Sequence, residues 1–261
     1  MKPLVEFKTK IRFVLTDIDD TLTTNGQLTA EAYTALANLK RHNIHVIPVT
    51  GRPAGWCDMI ARFWPVDAVI GENGGLYYRY LNQNQKMLRW NFADEKTQKE
   101  NQKKLNMISE EIKQKVPKSA VSADQFCRIY DLAIDFCEDI PRLSDSEIDH
   151  IVQIFKAHGA TAKISSIHVN GWFGDFNKVT TAKLLLQKEF GLSESQILDH
   201  CVYIGDSPND EPLFENFKHT FGVANIRHFE KKMKYLPAYI SSSESGKGFC
   251  EIVDRIISLN S

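Results

Sequence analysis

The chain has 261 residues, 43% of them hydrophobic, enough for one large or two modest domains with a sizeable core. Its 32 lysines and arginines face 33 aspartates and glutamates, a formal net charge of -1. That balance gives no electrostatic ground for a nucleic-acid or anionic-membrane partner. The opening MKPLVEFKTK lacks the apolar stretch of a signal peptide, and no apolar run nears the roughly 20 residues of a spanning helix. Five scattered cysteines (Cys57, Cys127, Cys137, Cys201, Cys250) show no CxxC spacing. Reduced thiols in a cytoplasmic protein are expected, with neither a zinc site nor a disulfide framework.

The run Ile11 to Leu15 reads as a short buried strand that stops at Asp17, Asp19 and Asp20. Three carboxylates in four residues repel one another and are costly beside a core unless a countercharge is present. A divalent cation is the simplest one, and Mg2+ favours one or two carboxylates together with substrate phosphate. Thr29 is the expected N-cap of the next helix, followed by a buried strand over 44–50 that ends at Thr50-Gly51-Arg52. Pro53 suits the first turn of a helix reaching about Phe63, and Ala68-Val69-Ile70 makes a third strand, ending in Glu72-Asn73-Gly74. Strand and helix alternating at these distances predict a parallel sheet with right-handed crossovers.

From about Leu76 the texture changes. LYYRY and KMLRW flank a polar loop as a hairpin, a charged helix covers about Asp94 to Lys115, and 127–136 is a strand. Ser144 caps a helix closed by Gly159, and a strand pair follows. Parallel-sheet texture returns at Lys178, with a helix to Gly191, a strand at 201–206 ending in Asp206, two short strands and a closing helix from Gly246. The expected fold class is α/β: a Rossmann-like parallel-sheet core, 1–75 and 172–261, carrying an inserted α+β domain, 76–171.

Three strands of that sheet end in polar clusters, at Asp17 and Asp19, at Thr50 and at Asp206. Ligands of open α/β sheets bind outside the carboxyl ends of the strands, so one crevice gathers residues about 190 positions apart. DIDDT (17–21), VTGRP (49–53), Lys178 and GDSPND (205–210) resemble the four motifs of the haloacid-dehalogenase-like superfamily. The insertion between the second and third resembles the type two cap of subfamily IIB, which includes Cof-like, sucrose-phosphate and trehalose-phosphate phosphatases. Val179 stands where many relatives carry Gly, and Lys183 competes with Lys178 for the third motif.

The resemblance implies a Mg2+-dependent phosphatase acting on a small phosphorylated metabolite, a sugar phosphate first, through an aspartyl-phosphate. Asp17 would be the nucleophile and Asp19 the general acid and base. Thr50 and Lys178 would bind the phosphoryl oxygens, with Gly51, Arg52 and Asn209 beside them. Asp17, Asp206 and the Asp19 carbonyl would hold the metal. His168 and Asn170 alternate on one strand, so both are expected to face the substrate, with Trp172 beside them read first as a core residue and second as an apolar platform. Gly75 and Gly171 are the expected hinges of a lid. A phosphosugar mutase, or a non-catalytic phospho-accepting switch, uses the same residue types, and oligomeric state is open.

Overall fold

The computed structural model describes residues 1–260. In chain order the elements are β1 (Lys2–Pro3), β2 (Phe13–Thr16), β3 (Thr23–Thr24), β4 (Gln27–Leu28), α1 (Ala30–Arg41), β5 (His45–Pro48), α2 (Ala54–Phe63) and β6 (Val69–Gly71). Then come β7 (Leu76–Leu81), β8 (Lys86–Asn91), α3 (Glu95–Lys115), β9 (Ala120–Val121), β10 (Asp131–Asp135), α4 (Asp145–Ala157), β11 (Thr161–Ile164) and β12 (His168–Trp172). The chain closes with α5 (Lys178–Phe190), α6 (Glu194–His200), β13 (Cys201–Gly205), α7 (Glu211–Asn216), β14 (His219–Gly222), β15 (Tyr239–Ile240) and α8 (Ser245–Asn260).

A six-stranded sheet in the order β1-β15-β14-β13-β2-β5, parallel throughout, forms the core. Strands β2, β13 and β14 are buried along their whole length, as the apolar runs FVLT and CVYIG require when helices cover both faces. From β2 the chain steps outward through β5 in one direction, and from β13 through β14 and β15 in the other. The gap between β2 and β13 is therefore the switch point where open α/β sheets hold their ligands. Asp17 N–H donates to the Ile204 carbonyl across it, at 2.9 Å.

The inserted segment builds a four-stranded antiparallel sheet, β11-β12-β10-β9, packed under α3 and α4 with its own apolar cluster around Ile108, Ile151 and Phe155. The β7–β8 hairpin, grouped with this insert on the sequence pattern, pairs instead with β6, which bridges to Val49 at the edge of the core sheet. Its Leu76 and Tyr77 are buried among core residues. Alternating hydrophobicity reveals a strand but not the sheet that it joins.

Two buried charges fasten the insert to the core. Glu72, in a left-handed turn at the end of β6, accepts the N–H groups of Ala54 on α2 and of Ile129, Tyr130 and Asp131 at the start of β10. Burial and the nearby Asp131 push its carboxyl up to about 7, against the pull of those donors and of Arg128. Arg128 is fully buried and spans Asp124, Asp131 and the Gly51 carbonyl. The two expected hinges are packing glycines. A Cβ on Gly171 would overlap the Phe155 ring, and one on Gly75 would lie 2.8 Å from Tyr130.

Overpacking of this kind costs about 1–3 kcal/mol, so Gly171→Ala should destabilise by that amount in urea unfolding, whereas a free hinge would tolerate it. Glu72→Ala leaves four inward N–H groups without their acceptor. It should cost at least about 3 kcal/mol in the same measurement, and an unchanged midpoint would refute the clamp.

Candidate active site at the carboxyl end of the sheet

β2 delivers Asp17 to the switch point, 8% exposed, and β13 delivers Asp206 beside it, 3% exposed. A third carboxylate, Asp210, folds back beneath them. Gly205 makes this possible, because a Cβ there would overlap the Asp210 carboxylate. Oxygens of Asp17, Asp206 and Asp210 lie within 4.8 Å of one another.

Asp210 is fully engaged. Oδ1 accepts from Tyr203 Oη at 2.5 Å and from Lys178 Nζ at 3.0 Å, while Oδ2 accepts the N–H of Asp206 at 3.0 Å. Asp17 shares Lys178 Nζ at 2.8 Å, and Asp206 accepts from the Thr21 hydroxyl at 3.1 Å. One ammonium thus faces three carboxylates. Burial, with Asp210 and Asp19 nearby, pushes Asp17 up to about 8 despite Lys178. Burial and the neighbouring Asp210 and Asp17 push Asp206 far above the carboxylate range.

Carboxylates short of positive charge suit a hard divalent cation, for which Asp17 and Asp206 have oxygens to offer and Asp210 has none to spare. Asp19 differs from them. Its carboxylate turns away to Arg52, which reaches it with Nε at 3.1 Å and Nη2 at 2.8 Å. That carboxylate is therefore engaged apart from the Asp17, Asp206 and Asp210 cluster.

Lys178 is the first residue of α5, capped by Asn177 through the Thr180 N–H at 2.9 Å. A cation at the positive end of a helix works against the dipole, so its partners Asp17 and Asp210 must hold it there. Thr181 ties this helix start to the core through the Gly74 carbonyl, at 2.7 Å. Lys183 points elsewhere and pairs with Glu194 at 2.6 Å. Thr50 is fully buried at the end of β5, and its hydroxyl accepts the Arg52 N–H at 3.0 Å. Asp20 sits at φ 58, the left-handed conformation that glycine adopts without strain.

Asp17, Asp19, Gly51, Arg52, Ser207 and Asn209 from the core face Arg128, Ser165, Ser166, Ile167, His168 and Asn170 from the insert across a cavity of about 30 Å³. Space of that size holds a water or two. His168 and Asn170 share the strand face expected of them, but the Asn170 amide already donates to Asp131 at 2.8 Å. Trp172 is 2% exposed and stacks on Phe176 at 5.6 Å inside the core, so it is no platform for a ligand. A larger hollow, about 790 Å³ between α3 and β9–β10, includes none of the strand-end carboxylates.

Residues that the motif reading passed over are Tyr203, Asp124, Arg128, Asp131 and Glu138. Arg52 Nη1 reaches Glu138 of the insert at 3.0 Å. His168 Nε2 stands 2.9 Å from the same carboxylate, an ion-pair distance without hydrogen-bond alignment. With His168 and Arg52 both close, Glu138 is held down to about 2. The signal for it was the acidic cluster Asp135-Phe136-Cys137-Glu138-Asp139 at the end of a strand.

Residues 14–116 match the family model for haloacid dehalogenase-like hydrolases. No curated protein sequence matches the chain. Among solved structures, the Thermoplasma acidophilum protein 0175 aligns with 96% of this chain and 99% of its own, at 18% identity and a TM-score of 0.72. A haloacid dehalogenase-like hydrolase from Bacteroides thetaiotaomicron aligns at 14% identity and a TM-score of 0.67, covering 95% of this chain and all of its own. The sucrose-phosphatase of Synechocystis, solved with sucrose and phosphate, aligns at 17% identity and a TM-score of 0.62, over 95% of this chain and 98% of its own. Residues 14–116 are thus similar to haloacid dehalogenase-like hydrolases, and the fold of the whole chain is shared with these solved structures.

Proposed function

We propose that the protein hydrolyses small phosphomonoesters, a sugar phosphate first among them, through an aspartyl-phosphate on Asp17 with Mg2+ as cofactor. The observation that carries this reading is the buried Asp17 at the switch point, flanked by Lys178 at 2.8 Å and by Asp206, beneath a cavity walled by the insert. The wall also disfavours a bare phospho-accepting switch, which needs no lid. No helix among the described residues is long and apolar enough to cross a membrane.

A phosphomonoester resists hydrolysis so strongly that its enzymes supply accelerations of up to ~10²¹-fold. Asp17 Oδ attacks phosphorus, the P–O bond to the alcohol breaks, and Asp19 gives the leaving oxygen a proton. Asp19 then takes a proton from water, whose oxygen displaces Asp17 and releases inorganic phosphate. Lys178 and Thr50 donate to the phosphoryl oxygens as charge gathers on them. A Mg2+ ion held by Asp17 and Asp206 would neutralise charge on the phosphoryl group. On the same reading 76–171 acts as the lid, and His168 and Asn170, with Ser165 and Ser166, meet the leaving alcohol and exclude water.

A panel of phosphorylated sugars and nitrophenyl phosphate, assayed for phosphate release, tests the proposal. Activity should require Mg2+ and vanish in excess chelator. Asp17→Asn should lower turnover by at least ~10³-fold, and Asp19→Asn by roughly 10²–10⁴ on alkyl phosphates. Inertness across the panel, or substantial activity in Asp17→Asn, would defeat the reading.

A further inference from the structure

The motifs account for Asp19 and Arg52, but they leave unexplained why a carboxylate of the insert is held against the same guanidinium. Arg52 is 8% exposed on its side chain and has partners on every side. Nε and Nη2 serve Asp19, Nη1 serves Glu138 at 3.0 Å, and the Trp56 ring lies 4.5 Å from its central carbon. Asp124 lies farther from Nη1, at 3.9 Å. Of these, Glu138 gives Nη1 its closest side-chain acceptor, and it belongs to the insert.

The turn carrying Glu138 is built to aim it. The Asp135 carboxylate, 1% exposed, accepts the N–H groups of Cys137, Glu138 and Asp139 at 2.8, 2.7 and 2.8 Å. Three charge-assisted bonds fix this backbone directly after β10. His168, opposite Asp135 in the β10–β12 register, flanks the second oxygen of Glu138. The carboxylate is thus gripped from its own strand end and from the neighbouring strand while it projects onto a core residue.

We propose that Glu138 is a positioning residue: it locks the Arg52 guanidinium, and through it the Asp19 carboxylate, in the orientation that the reaction uses. This rests on the phosphatase reading for its catalytic consequence, but not for its geometry. With Nη1 released, the guanidinium turns about its long side chain and the two-point grip on Asp19 loosens. Because Glu138 comes with the insert, seating the insert and aligning Asp19 are a single event. A misplacement of about 1 Å in such a group costs on the order of 10²-fold in rate.

Two measurements test this. The first is kinetic, comparing an alkyl phosphate, whose leaving oxygen needs a proton, with nitrophenyl phosphate, whose leaving group does not. Glu138→Ala should lower kcat on the alkyl ester by roughly 10–100-fold and on the aryl ester by less than about 3-fold, the pattern of Asp19→Asn. Glu138→Gln keeps an oxygen acceptor for Nη1 and should restore most of the loss. Equal losses on both esters, residing in KM, would mean that Glu138 only strengthens closure and would overturn the proposal. So would full activity in Glu138→Ala.

The second measurement needs no turnover. Rotation about the Cζ–Nη bonds of Arg52, assigned by its absence in Arg52→Lys and followed by 15N NMR of the guanidinium, should be slow in the native protein and fast in Glu138→Ala. If the protein is inert on every ester, the phosphatase reading fails, and this result still decides the positioning. A guanidinium that stays immobile without Glu138 would overturn it.

Discussion

Asp17, Asp206 and Asp210 crowd three buried carboxylates around one ammonium, and much of the architecture exists to make that arrangement tolerable. Two adjacent parallel strands must end at the same level for Asp17 and Asp206 to meet, which the β2–β13 register provides. A glycine must precede Asp206 so that Asp210 can fold beneath it. A helix must begin at Lys178, with its cap and its Thr181 bond to Gly74, so that the ammonium arrives from the opposite side. Even Tyr203, inside β13, gives up its hydroxyl to Asp210. Such a cluster is a poor source of stability, since removing charge from water costs more than a partial set of partners returns. It makes physical sense as a site that completes itself with a cation and an anion from outside.

The insert adds a second constraint. It sits on the core through Glu72, which gathers N–H donors from two parts of the chain, and through Arg128, which reaches back to the Gly51 carbonyl. Gly51 adjoins both Thr50 and Arg52. The strand-end loop that carries the phosphate-binding candidates is therefore braced from the insert side as well as from the sheet.

What the sequence made legible is what is local. A buried apolar run that stops at an acidic residue names both a strand and its functional end, so Asp17 and Asp206 needed only the fold inference to be brought together. Lys178 was less secure against Lys183, because helical periodicity places both on one element, and only the cap at Asn177 decides which stands at its start. The association of the β7–β8 hairpin with β6 was not legible, since period-two alternation is blind to the partner strand. The role of Glu72 was not legible in the sequence, because three of its donors lie 57 to 59 positions onward. Gly171 suggested mobility, yet the missing side chain is required by an aromatic ring from another element. Asp135 and Glu138 carry no family motif, and their roles depend on where β10 ends relative to the core.

The contacts between insert and core are unequal, and the inequality has a direction. Glu72 and Arg128 are wholly buried, and breaking either strands a charge away from water, at several kcal/mol. Glu138 is 30% exposed on its side chain, and a pair open to solvent is worth about 0–1 kcal/mol. The cavity between them has room for a water or two, so on the proposed reading a phosphomonoester would enter only if the two parts separated on one side. Separation at the Glu138 side is the inexpensive route, with the Glu72 side serving as the fixed end. On the proposed reading, the arginine that grips Asp19 then lies on the side that parts, and the acid–base candidate responds to the position of the insert.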